Sequence, residues 1–394
     1  MNGVRPLGVW IADSRVGELA LEGRRQHIFS YTPRAADAVS LTMPVRLQSW
    51  ASDELHPIFQ MNLPEGALLE TIRRAIAKIV GDDDYSILLA TGGSQVGKNR
   101  FAAVDKEPET QRTSESLDDI LTYPDTRELF HELLERYALR SGVSGVQPKV
   151  LLDAQEPGTL STAGYIVKSW GTDYPQLAAN EYFCMTAAKK AGLPVPEFHL
   201  AENGGLFVMR RFDMDDRGVA LGFEDMCSLQ ALGTAQKYRS TYERVAKSLR
   251  SFISGEEQAS ARRQFFAMLV LSSMVRNGDA HLKNFGVLYS SPPSSITMAP
   301  VYDVVTTTAY IRHDVPALSL AGTKKWWPRK MLESFAITHL SLSVGDIAQL
   351  IDRTAEAVLE TRRLIPVYAG DHPEFEATGD AMLAAWDAGI RDFR

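Results

Sequence analysis

Asp279 is followed five residues later by Asn284, and Asp303 stands nineteen residues beyond that. An acid and an amide at the first spacing can leave one turn toward the same point. The carboxylate can accept or orient the proton of an attacking hydroxyl, and the amide oxygen can bind a magnesium ion. Asp303 would add a second ligand. Mg²⁺ fills most of its shell with water and phosphate, so one carboxylate and one amide suffice. The chemistry this points to is phosphoryl transfer. The pair alone is a weak signal, because Asp and Asn are common in turns.

Other residues sharpen it. Lys168 ends the apolar run Tyr165-Ile166-Val167, and burying an ammonium is costly unless an anion such as a nucleotide phosphate meets it. His281 and Lys283 flank the Asp/Asn pair. His281 could touch phosphate or a carboxylate, and Lys283 could offset charge on the transferred group. The stretch Ser141-Gly142-Val143-Ser144-Gly145-Val146-Gln147-Pro148-Lys149 could cradle phosphate with backbone N–H groups. It is not a Walker loop, and an ordinary helix-to-strand connection is its plainer reading. Asp279-x-His281 could also open a divalent-metal hydrolase site, but no second ligand cluster accompanies it.

These residues need elements to hold them. Short apolar runs at 7–11 and 17–21 read as a strand meander, and a helix with apolar residues at three- and four-residue steps runs from near Pro64 to Val80. A second helix covers 85–90. The charged stretch 106–126 reads as a linker between an N-terminal module, 1–105, and the rest. A nucleotide-binding sheet lobe over 127–235 holds strands at 150–152 and 164–170, a helix at 178–191 and a hairpin around Asn203-Gly204. A helical catalytic lobe over 236–394 opens with an apolar helix at 258–275 that delivers Asp279. The fold class expected is α+β, a two-lobed protein-kinase-like fold with a small N-terminal α+β module and a mainly helical C-terminal lobe.

Composition bounds the rest. Apolar residues make up 45% and charged residues 23% of 394, which excludes a disordered chain. A net charge of −7 argues against wrapping nucleic acid directly. Cys184 and Cys227 read as reduced core thiols rather than a disulfide or zinc site. No apolar run approaches the ~20 residues of a membrane span, and the N-terminus lacks a signal-peptide core. The expectation is a cytoplasmic protein with no membrane partner.

Taken in order, the segments Ser144–Lys149, Asn180-Glu181-Tyr182, Leu193-Pro194-Val195-Pro196, Met209–Asp213, Glu224-Asp225-Met226-Cys227, Asn277–Phe285 and Pro300–Asp303 resemble the HipA family of kinase toxins from bacterial type II toxin–antitoxin systems. Asn62-Leu63-Pro64-Glu65-Gly66 resembles the same family's N-terminal module. The resemblance implies a serine/threonine protein kinase using ATP and Mg²⁺. Asp279 would be catalytic, and Asn284 and Asp303 would bind the metal. Lys168, the loop Ser144, Gly145, Val146, Gln147, Pro148 and Lys149, and the pair His281 and Lys283 would contact the nucleotide. Arg210, Arg211 and Phe212 would lie at an adenine hinge.

The resemblance further implies phosphorylation of an aminoacyl-tRNA synthetase, most often the glutamyl enzyme, and inhibition of translation. A HipB-like helix-turn-helix antitoxin would be the partner, with operator DNA reached mainly through it. Autophosphorylation would fall on the Gly-rich loop. The first usual serine position reads Gly142 here, which leaves Ser144, with Ser141 as alternative. Two rival readings are a small-molecule kinase and a catalytically silent corepressor that binds an antitoxin.

Overall fold

The computed structural model describes residues 5–23, 26–76, 83–108, 114–138, 142–145, 147–157, 162–291 and 295–393. Ser141, Val146 and the expected helix end at Val80 lie outside the described residues. The chain forms two compact units, and neither is continuous in sequence. One comprises Met1–Lys168, Arg210–Gln236 and Val287–Ser295; the other comprises Ser169–Met209, Lys237–Gly286 and Ile296–Arg394.

The first unit begins with the expected meander. Strands Leu7–Ile11, Ser14–Glu22 and Gln26–Tyr31 pair antiparallel in succession, Trp50–Ser52 closes one edge and Asn99–Ala103 the other. Alternation puts Leu7, Val9, Leu19, Phe29 and Phe101 into the core. Phe59 packs between Phe29 and Phe101, at ring distances of 5.4 and 5.7 Å. The helix Gly66–Ile76 buries Leu68, Ile72 and Ile76. The helix Asp84–Thr91 is capped by Asp83, whose carboxylate accepts from Ser86 N at 3.1 Å.

The segment expected to be a linker is structured in part. Ser114–Ser116 is a strand running parallel to Lys149–Gln155, and Leu117–Thr122 is a helix. The Ser116 hydroxyl caps that helix by accepting from Asp119 N at 3.2 Å. Lys149–Gln155 then pairs antiparallel with Thr162–Lys168. The N-terminal module is tied to later chain by the buried Glu224. Its carboxylate accepts from Ser40 Oγ at 2.7 Å, Leu41 N at 2.7 Å, Tyr289 Oη at 2.6 Å and Ser228 Oγ at 3.2 Å.

The second unit is mainly helical: Leu177–Lys190, Tyr242–Phe252, Gln258–Met274, Arg329–Leu340, Val344–Arg362, Leu364–Asp371 and Glu376–Arg391. Gly192, at φ +70°, stops the first of these, with Leu193 N donating back to Ala188 O at 3.1 Å. The hairpin falls where Asn203-Gly204 predicts, joining Phe198–Leu200 to Phe207–Arg210, and Gly204 takes φ +73°. Both cysteines are free and buried, and Trp327 is a core residue set edge-on to Tyr242 at 5.3 Å. Among the described residues no helix is long and apolar enough to cross a membrane.

Candidate active site

The helix Gln258–Met274 buries nearly all of its second half, from Gln264 to Met274. It ends because Arg276 turns into the left-handed region at φ +57°. Arg276 is held there. Its Nη2 meets Asp392 Oδ2 at 2.5 Å, its guanidinium lies over the Trp326 ring at 4.9 Å, and its carbonyl accepts from Thr307 N at 3.2 Å. Gly278 follows, packed so closely that a Cβ would run into the Asp314 carboxylate and stand 2.8 Å from Thr307 Oγ1. Its own N–H donates to that Thr307 hydroxyl at 2.8 Å. A side chain here would have to displace the Asp314 carboxylate and the Thr307 hydroxyl.

Asp279 comes next. Asn277 Oδ1 accepts from its N–H at 3.1 Å, and Tyr238 Oη donates to its Oδ1 at 2.8 Å. The side chain keeps 44% of its surface open, while protein atoms crowd it elsewhere. That burial, reinforced by the nearby charge of Asp303, pushes the carboxyl up to about 6, against the opposing pull of the Tyr238 hydrogen bond and Lys237. His281 Nε2 lies 3.9 Å from Asp279 Oδ1. Burial, with Lys237 nearby, holds its imidazole down at about 3, so it is neutral in the physiological range and is no ion-pair partner there.

Asn284 and Asp303 meet directly. Asn284 Nδ2 donates to the Asp303 carbonyl at 3.1 Å, which fixes the amide's orientation. Its Oδ1 is buried and has no hydrogen-bond partner among the described residues. An orphaned, buried carbonyl-type oxygen costs free energy unless a ligand or ion completes it. Asp303 itself takes φ +62°, an uncommon conformation for a non-glycine residue. Both residues line one small cavity with Asn277, Tyr302 and Val304. An amide oxygen and a carboxylate are the kinds of donor a hard cation such as Mg²⁺ takes, though the contact between these two residues runs through the Asp303 main chain. Among the described residues no group of three or more His, Cys, Asp or Glu could hold a metal by itself.

The cluster is braced from behind. Asn180 is fully buried; its Oδ1 accepts from Thr306 N at 2.7 Å and its Nδ2 donates to Thr306 O at 3.1 Å. Trp386 Nε1 donates to Thr306 Oγ1 at 2.7 Å. The C-terminal helix therefore supports the turn after Asp303 through Trp386 and the start of the Asp279 loop through Asp392. Gly389 sits flush against the Met274 carbonyl, with no room for a side chain.

In the first unit, Lys149 and Lys168 are direct cross-strand partners, and both are buried. The Lys149 ammonium lies against Gly145, whose φ is +122°. Gly142 packs onto residues 94–95, where a Cβ would stand 2.5 Å from Gln95 Cγ and 2.9 Å from Ser94 O. That close approach accounts for glycine where the resemblance expects serine. Ser144 is half-buried.

The three expected hinge residues use their side chains internally. Arg210 Nη1 pairs with Glu156 Oε1 at 3.1 Å, and Phe212 packs on Phe223 at 5.2 Å. Arg211 forms a buried two-pronged pair with Asp213, at 3.0 and 2.6 Å, and donates to Gln95 O at 2.6 Å.

The second unit thus brings Asp279, His281, Lys283, Asn284 and Asp303 onto one loop system, with Lys283 O accepting from Tyr302 Oη at 2.7 Å. Residue spacing does not reveal Tyr238 and Lys237, which come from 41 and 42 residues before Asp279, nor Asn180 and Trp386.

A family model described as the HipA-like C-terminal domain matches residues 141–362, and one described as the HipA N-terminal domain matches residues 7–101. The chain belongs to the HipA family. A relative of this HipA-family protein from Sinorhizobium fredii, named "Putative kinase Y4mE", is 29% identical over 399 aligned residues, covering 90% of this chain and 91% of that one. A second from the same organism, "Putative kinase Y4dM", is 28% identical over 252 residues, covering 58% of this chain and 59% of its own length. The HipA chain solved with HipB and operator DNA from Shewanella oneidensis MR-1 superposes with a TM-score of 0.68 at 20% identity, covering 98% of this chain and all of that one. The expected fold class, α+β and kinase-like, is therefore the observed one.

Proposed function

We propose that this HipA-family protein is a serine/threonine protein kinase that takes the terminal phosphoryl group from Mg²⁺-ATP. The observation that carries the reading is the orphaned Asn284 Oδ1, buried beside Asp303 on the same loop system as Asp279.

Asp279 receives the proton of the acceptor hydroxyl, and its raised acidity range suits a base working near neutral pH. Asn284 Oδ1 and the Asp303 carboxylate hold Mg²⁺, which when bound offsets the charge of the phosphates. Lys168 and Lys149 bind phosphate oxygens, and the backbone of residues 144–149 covers them. Neutral His281 can donate or accept a hydrogen bond without adding charge, and Lys283 adds positive charge beside the acid.

The finer reading follows the family. The protein substrate is an aminoacyl-tRNA synthetase, with the glutamyl enzyme first in order, and Ser144 is the autophosphorylated residue, with Ser141 as its alternative. A HipB-like antitoxin binds the chain and carries most of the contact with operator DNA. The complex in which the Shewanella relative was solved supports that choice of partners, and the net charge of −7 agrees with DNA contact made through a basic partner. The setting is cytoplasmic.

Purified chain incubated with γ-labelled ATP, Mg²⁺ and a translation extract should label a protein band, and Asp279→Asn should abolish the label. Label that enters small metabolites instead of protein would move the assignment to a small-molecule kinase. Nucleotide binding with no turnover of any kind would favour the silent corepressor.

A further inference from the structure

We propose that Tyr238 is an intramolecular phosphoacceptor, a tyrosine hydroxyl presented by the chain to its own Asp279. The proposal rests on the reading of Asp279 as the base of an ATP-dependent phosphotransferase. Tyr238 Oη donates to Asp279 Oδ1 at 2.8 Å. That is inside the reach of roughly 2.6–3.2 Å that a general base needs from the proton it removes. An acceptor hydroxyl entering from another protein must reach the same oxygen.

The placement is built into the loop system. Leu282 N donates to Lys237 O at 3.2 Å, so the segment carrying Tyr238 is hydrogen-bonded to the segment carrying Asp279. The Tyr238 ring stands edge-on to His281, with centroids 5.1 Å apart and planes at 74°, which sets the direction of the phenol. Lys237 places its ammonium 5.6 Å from that ring. Tyr238 is nevertheless 43% exposed, so its hydroxyl is no core group that merely needed a partner.

The step balances with a nucleoside triphosphate as donor. Asp279 Oδ1 takes the phenolic proton, and Tyr238 Oη forms a bond to the terminal phosphorus. The bond from that phosphorus to the bridging oxygen breaks, and the nucleoside diphosphate leaves with its electron pair. Asp279 then releases the proton to solvent through its open side. The product carries about −1.5 to −2 charge and has lost the phenolic proton that bonded Asp279. Repulsion from Asp279 and Asp303 then drives the ring outward, and Lys237 supplies countercharge. Modification would therefore uncover the base for other hydroxyls.

The test is site mapping on the full, dephosphorylated wild-type chain with Mg²⁺ and γ-labelled ATP, at several protein concentrations. The expected result is phosphate on the peptide holding Tyr238, formed at a first-order rate independent of protein concentration and missing in Asp279→Asn and in Tyr238→Phe. Asp279-dependent phosphate on serines alone, with Tyr238 unmodified at saturation, overturns this proposal and leaves the kinase reading standing. A rate that climbs with protein concentration overturns the intramolecular route. No incorporation at any residue overturns both. The wild-type map does not depend on whether either variant folds.

Discussion

Asn284 donates its side-chain N–H to the main-chain oxygen of Asp303 at 3.1 Å, and that bond turns the amide oxygen into a buried position without a hydrogen-bond donor. Asn284→Ala removes the oxygen and the bond that aims it. Phosphoryl transfer should fall on the order of 100-fold or more, since even the outer partners of metal ligands are worth roughly 10–100-fold. A Mg²⁺ titration of the residual activity should show a weakened apparent affinity. An unchanged Mg²⁺ dependence in Asn284→Ala would remove this residue from the metal site.

The Asp279 carboxyl, pushed up to about 6 by burial and by Asp303, is ionised only above that pH. Transfer should rise as pH passes through about 6 and level off above it. Stability runs the other way. An unfolded aspartate titrates near ~3.9, so folding favours the protonated form, and the stabilisation present below about pH 4 is lost as pH climbs through 6. Asp279→Asn keeps an acceptor for Tyr238 and should melt slightly above wild type at pH 7.5 and level with it near pH 4. The gain is small because 44% of the side chain is open to water. Melting curves at the two pH values decide it; the reverse order would mean that the carboxylate is stabilised by its surroundings.

Gly278→Ala forces a methyl group against Asp314 and Thr307. Overpacking of this kind costs about 1–3 kcal/mol, and displacing the adjoining Asp279 by ~1 Å should cost on the order of 100-fold in rate. The variant should still bind nucleotide. Steady-state kinetics alongside nucleotide-binding calorimetry would show whether kcat drops while affinity holds. Full activity would mean that the loop has slack the packing does not suggest.

Arg211 is paired with Asp213 away from water, and Gly97 N also donates to that carboxylate at 2.6 Å. Arg211→Ala leaves the carboxylate with the Gly97 N–H and the more distant charge of Arg100, and loss of one member of such a pair costs up to about 3–5 kcal/mol. Denaturant unfolding should show the loss, and an Arg211→Met/Asp213→Leu double variant should recover much of it. Nucleotide affinity of the folded double variant should stay near wild type. A collapse of affinity with stability restored would support the expected place of Arg211 at the nucleotide.

That Asp279 and Asn284 stand close was legible because one turn joins them, and Asp303 follows the next two strands, where its carbonyl meets the Asn284 amide. The apolar run 265–275 likewise announces the buried helix that delivers them. Tyr238, Asn180 and Trp386 were not legible, since a single hydrogen bond across 41, 126 or 80 residues leaves no periodic trace. The charged stretch 106–126 hid a strand and a helix behind its polarity. Ser116 three residues before Asp119 is a capping signal that could have exposed the helix. The Arg211–Asp213 pair is a further feature that residue types alone do not single out.

Glu224 gathers donors from residues 40–41, 228 and 289 around one buried carboxylate. A ribosome therefore emits Ser40 and Leu41 long before their acceptor exists, and Tyr289 arrives last. A polypeptide released before residue 224 would therefore leave the turn at Ser40 and Leu41 without the carboxylate that fastens it.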